Sequence, residues 1–210
     1  MATTEGIIKY RVHHDSSRTC PENIADRLTK VRAQLFEQGF IGQDPGRYEG
    51  YAFGNLSIRL RHNGLFAISG SQTSQLRELD ATGYAVITSY DLASNEVTSF
   101  GRVTPSSECL THAVIYAAHP DIMSVLHCHI PLLWQHSQQL ALDTTPADAE
   151  YGSIAMANAV KTLVHKSHGI FSMSGHIDGI VSYAGSPEEA LNILMTTFST
   201  ALKIHSDSSA

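Results

Sequence analysis

Apolar positions along this chain switch repeatedly between helical and extended spacing, and the switches divide it into elements. Ile24, Leu28, Val31 and Leu35 recur at helical spacing, with Pro21 suited to a first turn and Gly39 to a stop. Residues 1–20 before them are polar and mixed, and read as an N-terminal arm with a short strand over Ile7–Val12. After the glycine-rich GQDPGRYEGYAFGN, Leu56, Ile58 and Leu60 alternate as a strand, and Asn63-Gly64 predicts a tight turn into the return strand LFAIS. SGSQTSQLREL reads as a phosphate-sized loop leading into a short helix. Two more strands fit Tyr84–Tyr90 and Val97–Arg102 around a turn at Asp91–Asn95.

The second half continues in the same manner. A helix fits about Ser107 to Ala118 and ends at His119-Pro120, because proline disfavours helical geometry in the residue before it. In the strand that follows, Val125, His127 and His129 share one face, while Leu126, Cys128 and Ile130 share the other. A short helix over Leu132–Gln139 and a polar loop to Glu150 come next. Tyr151-Gly152-Ser153 caps a helix with Ile154, Ala157, Val160 and Val164 on one side. Residues 169–183 read as extended. Ser186-Pro187-Glu188-Glu189 has capping-box spacing and opens a last helix carrying Leu191, Leu194, Phe198 and Leu202. Strands in hairpin order, with helices before, between and after, predict an α/β sandwich with a largely antiparallel sheet. The expected domain spans 21–205, with 206–210 a flexible tail.

Composition narrows the function. At 210 residues the chain can bury a full core as one domain. Its net charge is −6 and its 14 basic residues form no cluster, which argues against nucleic acid and anionic membrane as main partners. No apolar run approaches a membrane span, and MATTEGIIKYRVHHD lacks a signal-peptide core, so a cytoplasmic location is expected. The three cysteines, Cys20, Cys109 and Cys128, have no Cys-x-x-Cys spacing and read as reduced, buried thiols. Histidine is unusually frequent, at 12, so spacing must choose among them.

Spacing favours His127 and His129, whose imidazoles project from one strand face and can hold a divalent metal while Cys128 points away. Paired histidines also occur in ordinary sheets, so the motif needs context. Glu108 opens the preceding helix, and a helix followed at once by a strand can fold back to bring that carboxylate near the metal. The context is a set of motifs: GNLS at Gly54, SG at Ser69, PSSE at Pro105, HPD at His119 and V-L-H-x-H-x-P at Val125. Together they resemble the class II aldolase/adducin family of sugar-phosphate aldolases, epimerases, dehydratases and the non-catalytic head of adducin. The resemblance runs from Ile24 to about Leu202.

That resemblance implies a three-layer α/β/α sandwich and one divalent metal ion per subunit, zinc being the expected ion. His127 and His129 would be two of its three histidine ligands. Glu108 would be the acid–base carboxylate. Asn55, Ser69, Gly70, Ser106 and Ser107 would form the substrate phosphate pocket. Hydroxyls and backbone amides near a helix N-terminus can hold a phosphate without lysine, although Ser107 and Asn55 also fit as a plain helix cap and a turn residue. For the third ligand, IFSMSGH mirrors the strand before the family histidine and favours His176, with His168 and Asp178 as alternatives. His112, one helical turn after Glu108, fits the core or the outer surroundings of the metal. Two departures stand out. The stretch between His129 and Tyr151 is short and carries no tyrosine to replace the family's catalytic one, and Ala52 stands where a hydroxyl is usual. The implied activity is retro-aldol cleavage of a small sugar phosphate or related hydroxy-carbonyl compound through an enediolate, in a homotetramer. Epimerisation, dehydration or a non-catalytic adducin-like module are the alternatives.

Overall fold

The helical stripe from Ile24 to Leu35 forms a helix whose four stripe residues are all buried. This computed structural model describes residues 6–61 and 65–208, so the Asn63-Gly64 turn lies outside the described residues. In chain order the elements are β1 (Arg11–Asp15), α1 (Glu22–Glu37), β2 (Gly42–Gln43), β3 (Ala52–Phe53), β4 (Asn55–Arg59), β5 (Phe66–Ser69), β6 (Tyr84–Asp91), β7 (Glu96–Gly101), α2 (Cys109–Ala118), β8 (Ser124–His129), α3 (Pro131–Gln135), β9 (Asp143–Thr144), α4 (Ile154–Lys161), β10 (Gly169–Ser172), β11 (Gly179–Ala184) and α5 (Pro187–Ser208).

Among the described residues, nine strands form one sheet in the order β1-β7-β6-β5-β4-β8-β11-β10-β9. Only the pairs β1–β7 and β9–β10 are parallel. The expected mixed α/β architecture with a largely antiparallel sheet is present. Leu56, Ile58, Leu126, Cys128 and Ile180 pack with α1, α3 and α5 on one face. Phe66, Ile68, Val125, Val181 and Tyr183 pack with α2 and α4 on the other. Each fully buried aliphatic or aromatic side chain contributes about 1.5–3 kcal/mol. All six residues of β8 are buried, because helices cover both faces of the central strands.

Local signals set several boundaries. Gly39 adopts φ +67°, with Phe40 N donating to the Leu35 carbonyl at 2.9 Å and Gly39 N to that of Phe36 at 2.9 Å. That paired pattern ends α1. The Ser186 hydroxyl accepts from Glu189 N at 3.1 Å at the start of α5, and Ser153 caps α4 by accepting from Met156 N. His119 is extended before Pro120 and stops α2. Cys20, Cys109 and Cys128 are buried free thiols.

Other expectations move. The N-terminal strand is Arg11–Asp15 rather than Ile7–Val12, and Pro21 caps α1 from outside its first turn. Residues 71–80 form turns, not a short helix. The helix after Ile130 starts at Pro131 and ends at Gln135. β9 adds an unforeseen edge strand, and 174–178 break the extended run at 169–183. α5 reaches Ser208, three residues into the expected tail. Ile154 and Leu202 are exposed rather than core, since their helix faces turn to solvent.

Candidate metal centre

β8 lies between β4 and β11, in the middle of the sheet. Its alternation points Val125, and with it His127 and His129, to the α2/α4 side. Asn55 pairs across from His127 on β4, and Gly179 pairs with His129 on β11. Gly54, just before Asn55, has φ +78°, and a Cβ there would sit 2.6 Å from Ile41 Cγ2 and 3.1 Å from the His127 carbonyl. Only glycine lets the chain pass this close to the histidine strand.

His176 arrives from the turn between β10 and β11. Met173 N donates to the Gly179 carbonyl at 2.8 Å, and His176 N to that of Met173 at 3.0 Å, folding the loop back over β8. The ring centroids then lie 5.0 Å apart for His127–His129, 4.9 Å for His127–His176 and 4.7 Å for His129–His176. One nitrogen of each ring falls within 4.8 Å of the others, and all three residues are at most 2 % exposed. Oε1 of Glu108, itself buried, stands 3.5 Å from His176 Nδ1. The two alternatives for the third position are elsewhere. His168 lines a cavity with Asp121 and Glu189. Asp178, at φ +64° because the strand is interrupted, turns its carboxylate to the Tyr48 hydroxyl.

Burial holds the His127 and His129 imidazolium pKa values well below the usual histidine range, with repulsion from His176 next in importance. Both rings are therefore neutral, the form that offers a lone pair to a metal. Three clustered, buried imidazoles with a carboxylate beside them fit a divalent ion better than a packed core.

Below this cluster, His112 is buried and its Nδ1 bonds the Ser57 hydroxyl at 2.7 Å, which also meets the Tyr116 hydroxyl at 2.7 Å. Desolvation lowers its pKa from 6.5 to about 3. The unfolded chain therefore binds a proton that the folded one refuses across that window, so stability falls as pH drops from 6.5 toward 3. His112→Gln is expected to flatten this acid limb, measured as the urea midpoint against pH. An unchanged slope would place the acid sensitivity elsewhere.

Four of the five residues expected to hold a phosphate come together. Asn55, Gly70, Ser106 and Ser107 line one small cavity together with Gly6, Ala52, Gly54, Ser71, Gln72 and Ser74. Ser69 is not on it; its hydroxyl accepts from Leu56 N at 3.2 Å. Ser107 does not cap α2. Glu108 holds the cap position, and its N–H points to Ser106 Oγ at 3.4 Å. The Tyr10 hydroxyl donates to the Pro105 and Ser106 carbonyls at 3.2 and 2.9 Å and pins this loop.

Four neighbours escaped sequence reasoning. The Tyr48 ring meets His129 edge-on at 4.5 Å, and its hydroxyl donates to Asp178 Oδ2 at 2.6 Å and accepts from Arg47 at 2.6 Å. The Tyr151 ring lies 4.9 Å from that of His176, although its sequence signal was that of a helix cap. Gln72 sits in the expected phosphate pocket at φ +56°. For Arg47 and Tyr48 the available signal was RYEG, where Tyr48 and Glu49 both adopt positive φ, a strained geometry that clusters at functional sites.

Residues 47–205 match the Class II Aldolase and Adducin N-terminal domain family. Among solved structures, an L-fuculose 1-phosphate aldolase is similar at a TM-score of 0.67 and 22% identity, over 91% of this chain and 88% of that one. The L-fuculose-1-phosphate aldolase of Thermus thermophilus is similar at 0.65 and 16%, over 90% and 95%. YgbL from Klebsiella pneumoniae is similar at 0.65 and 22%, over 88% and 89%.

Proposed function

The chain belongs to the class II aldolase and adducin family, and on that premise we propose that it is a metal-dependent carbon–carbon lyase acting on a small hydroxy-carbonyl compound by retro-aldol cleavage. The observation that carries this reading is the convergence of His127, His129 and His176 with Glu108 at 3.5 Å from the third ring. His127, His129 and His176 would hold a divalent ion, zinc by donor type, which would supply Lewis-acid polarisation of a substrate carbonyl.

The chain's own residues do the rest. His127 and His129 are held neutral by burial and present lone pairs from a rigid central strand. Glu108, fixed at the α2 N-terminus, carries the proton to or from the substrate carbon. The burial of Glu108 and the three histidines strengthens each electrostatic contact among them. Asn55, Ser106 and Ser107 orient the far end of the substrate.

Metal analysis tests this directly. The purified protein is expected to hold about one divalent ion per chain, and a chelator should lower its melting temperature and abolish retro-aldol turnover, because an ion that binds only the folded state stabilises it. A protein that stays metal-free after exposure to zinc, manganese, cobalt and iron would end the proposal. A metal-loaded tetramer without turnover would favour the non-catalytic module. Among the described residues no helix is long and apolar enough to cross a membrane.

A further inference from the structure

The metal centre is sealed. Glu108, His127, His129 and His176 are each at most 2 % exposed. The cavity beside them, walled by Asn55, Ser106 and Ser107, holds about 10 Å³, room for one water and not for a substrate. Chemistry at this centre therefore requires part of the wall to move.

Most of that wall is fixed. Asn55 belongs to β4, in the middle of the sheet. The turn after Gly70 is tied down by Arg32, whose Nη2 donates to the Thr73 carbonyl at 2.8 Å. The Thr73 hydroxyl donates back to the Gly70 carbonyl at 2.8 Å. Ser106 N donates to the Ser69 carbonyl at 3.2 Å, and its own carbonyl accepts from the Tyr10 hydroxyl.

Gly6 of the N-terminal arm completes the wall, packed so closely on Gln72 that a Cβ would lie 2.1 Å from its Nε2. The arm is held differently along its length. Tyr10 is buried, and the Asn95 side chain donates to the Lys9 carbonyl at 2.8 Å, so the chain is anchored from there on. Before that point the fastenings lie at the surface. Lys9 Nζ stands 3.0 Å from Glu150 Oε2, with side chains 29 % and 61 % exposed, and 4.2 Å from the centre of the Tyr151 ring. Ile7 N donates to the Tyr151 hydroxyl at 3.3 Å, while the Ile7 side chain stays exposed. An exposed ion pair and a surface cation–π contact are weak fastenings. The Tyr151 ring in turn lies 4.9 Å from that of His176, so the arm is fastened beside a metal ligand.

We propose that residues 6–9 are a lid over the metal centre, latched by Lys9 on Glu150 and Tyr151, and that substrate enters when the latch releases. What lies beneath the lid rests on the lyase reading, but the opening is measured without metal or substrate.

Ser106→Cys supplies the probe, because position 106 lines the sealed cavity and the three native cysteines are buried. Labelling by methyl methanethiosulfonate is timed in this variant alone, with Lys9→Glu, and with Lys9→Glu and Glu150→Lys together. Lys9→Glu should speed labelling at position 106 by about tenfold, and the charge swap should return it to within about threefold of the parent. Cys20 and Cys128, followed in the same samples by peptide mass, should label at an unchanged rate. Equal rates at position 106 with and without Lys9→Glu overturn the lid, and so does a swap that fails to restore the slow rate. A parallel rise at Cys20 and Cys128 also overturns it, because the variant then loosens the whole fold instead of opening the arm. Metal content of the unlabelled wild type separately reports whether the lyase reading stands.

Discussion

Glu108→Gln is expected to lower turnover by about 10²–10⁴-fold while leaving the bound metal at wild-type stoichiometry. The carboxylate is buried at the α2 N-terminus and faces the histidine cluster through His176. Glutamine keeps the shape, so the helix start and the packing around it should survive. What it removes is the ability to take and return a proton. The three imidazoles hold one another's nitrogens within 4.8 Å without help from Glu108, so the ion should remain. Steady-state turnover of metal-loaded protein, with elemental analysis of the same sample, checks both halves. Unchanged turnover would remove Glu108 from proton transfer. Loss of the ion would make Glu108 a ligand instead.

Periodicity and capping were enough for α1 and α5, because each uses local devices: Gly39 at positive φ, and Ser186 three residues before Glu189. The shared face of His127 and His129 followed from strand alternation alone. The third histidine was different. Residues 169–183 have an extended pattern, yet the turn at 174–178 interrupts it, and a continuous strand would have put Asp178 on the face of His176. Family resemblance chose His176, because no local period encodes a return over β8. The same holds for strand order. β8 pairs with β4 and β11, and these partners are set by packing of distant segments. Tyr48 and Gln72 were least legible, since both adopt positive φ, where tyrosine and glutamine are rarely found. Their positions follow from surrounding contacts: Asp178 and Arg47 for one, the Ala52 backbone for the other.

Gly175→Ala is expected to destabilise the protein by about 1–3 kcal/mol, the usual cost of forcing one extra carbon into filled space, and to weaken metal binding by about 10–100-fold, as displaced supports of a ligand do. A Cβ at Gly175 would stand 2.1 Å from the Ala149 carbonyl oxygen, 2.8 Å from its carbon and 3.1 Å from the Ala147 oxygen. These are backbone atoms, so no rotamer can relieve the overlap. Either the 174–178 turn lifts away or residues 147–149 retreat. The first moves His176 off the cluster, and the second shifts Tyr151, whose ring lies beside His176. Both routes cost ligand geometry as well as packing. Gly46→Ala serves as the control, because its Cβ would meet only Asp44 Oδ1 at 3.4 Å, an ordinary contact at a surface turn. Its effect should stay within about 0.5 kcal/mol. Melting temperature and competition against a chelating dye measure the two consequences. If Gly175→Ala kept wild-type values in both, contact between the turn and Ala149 would not be what holds His176 in place.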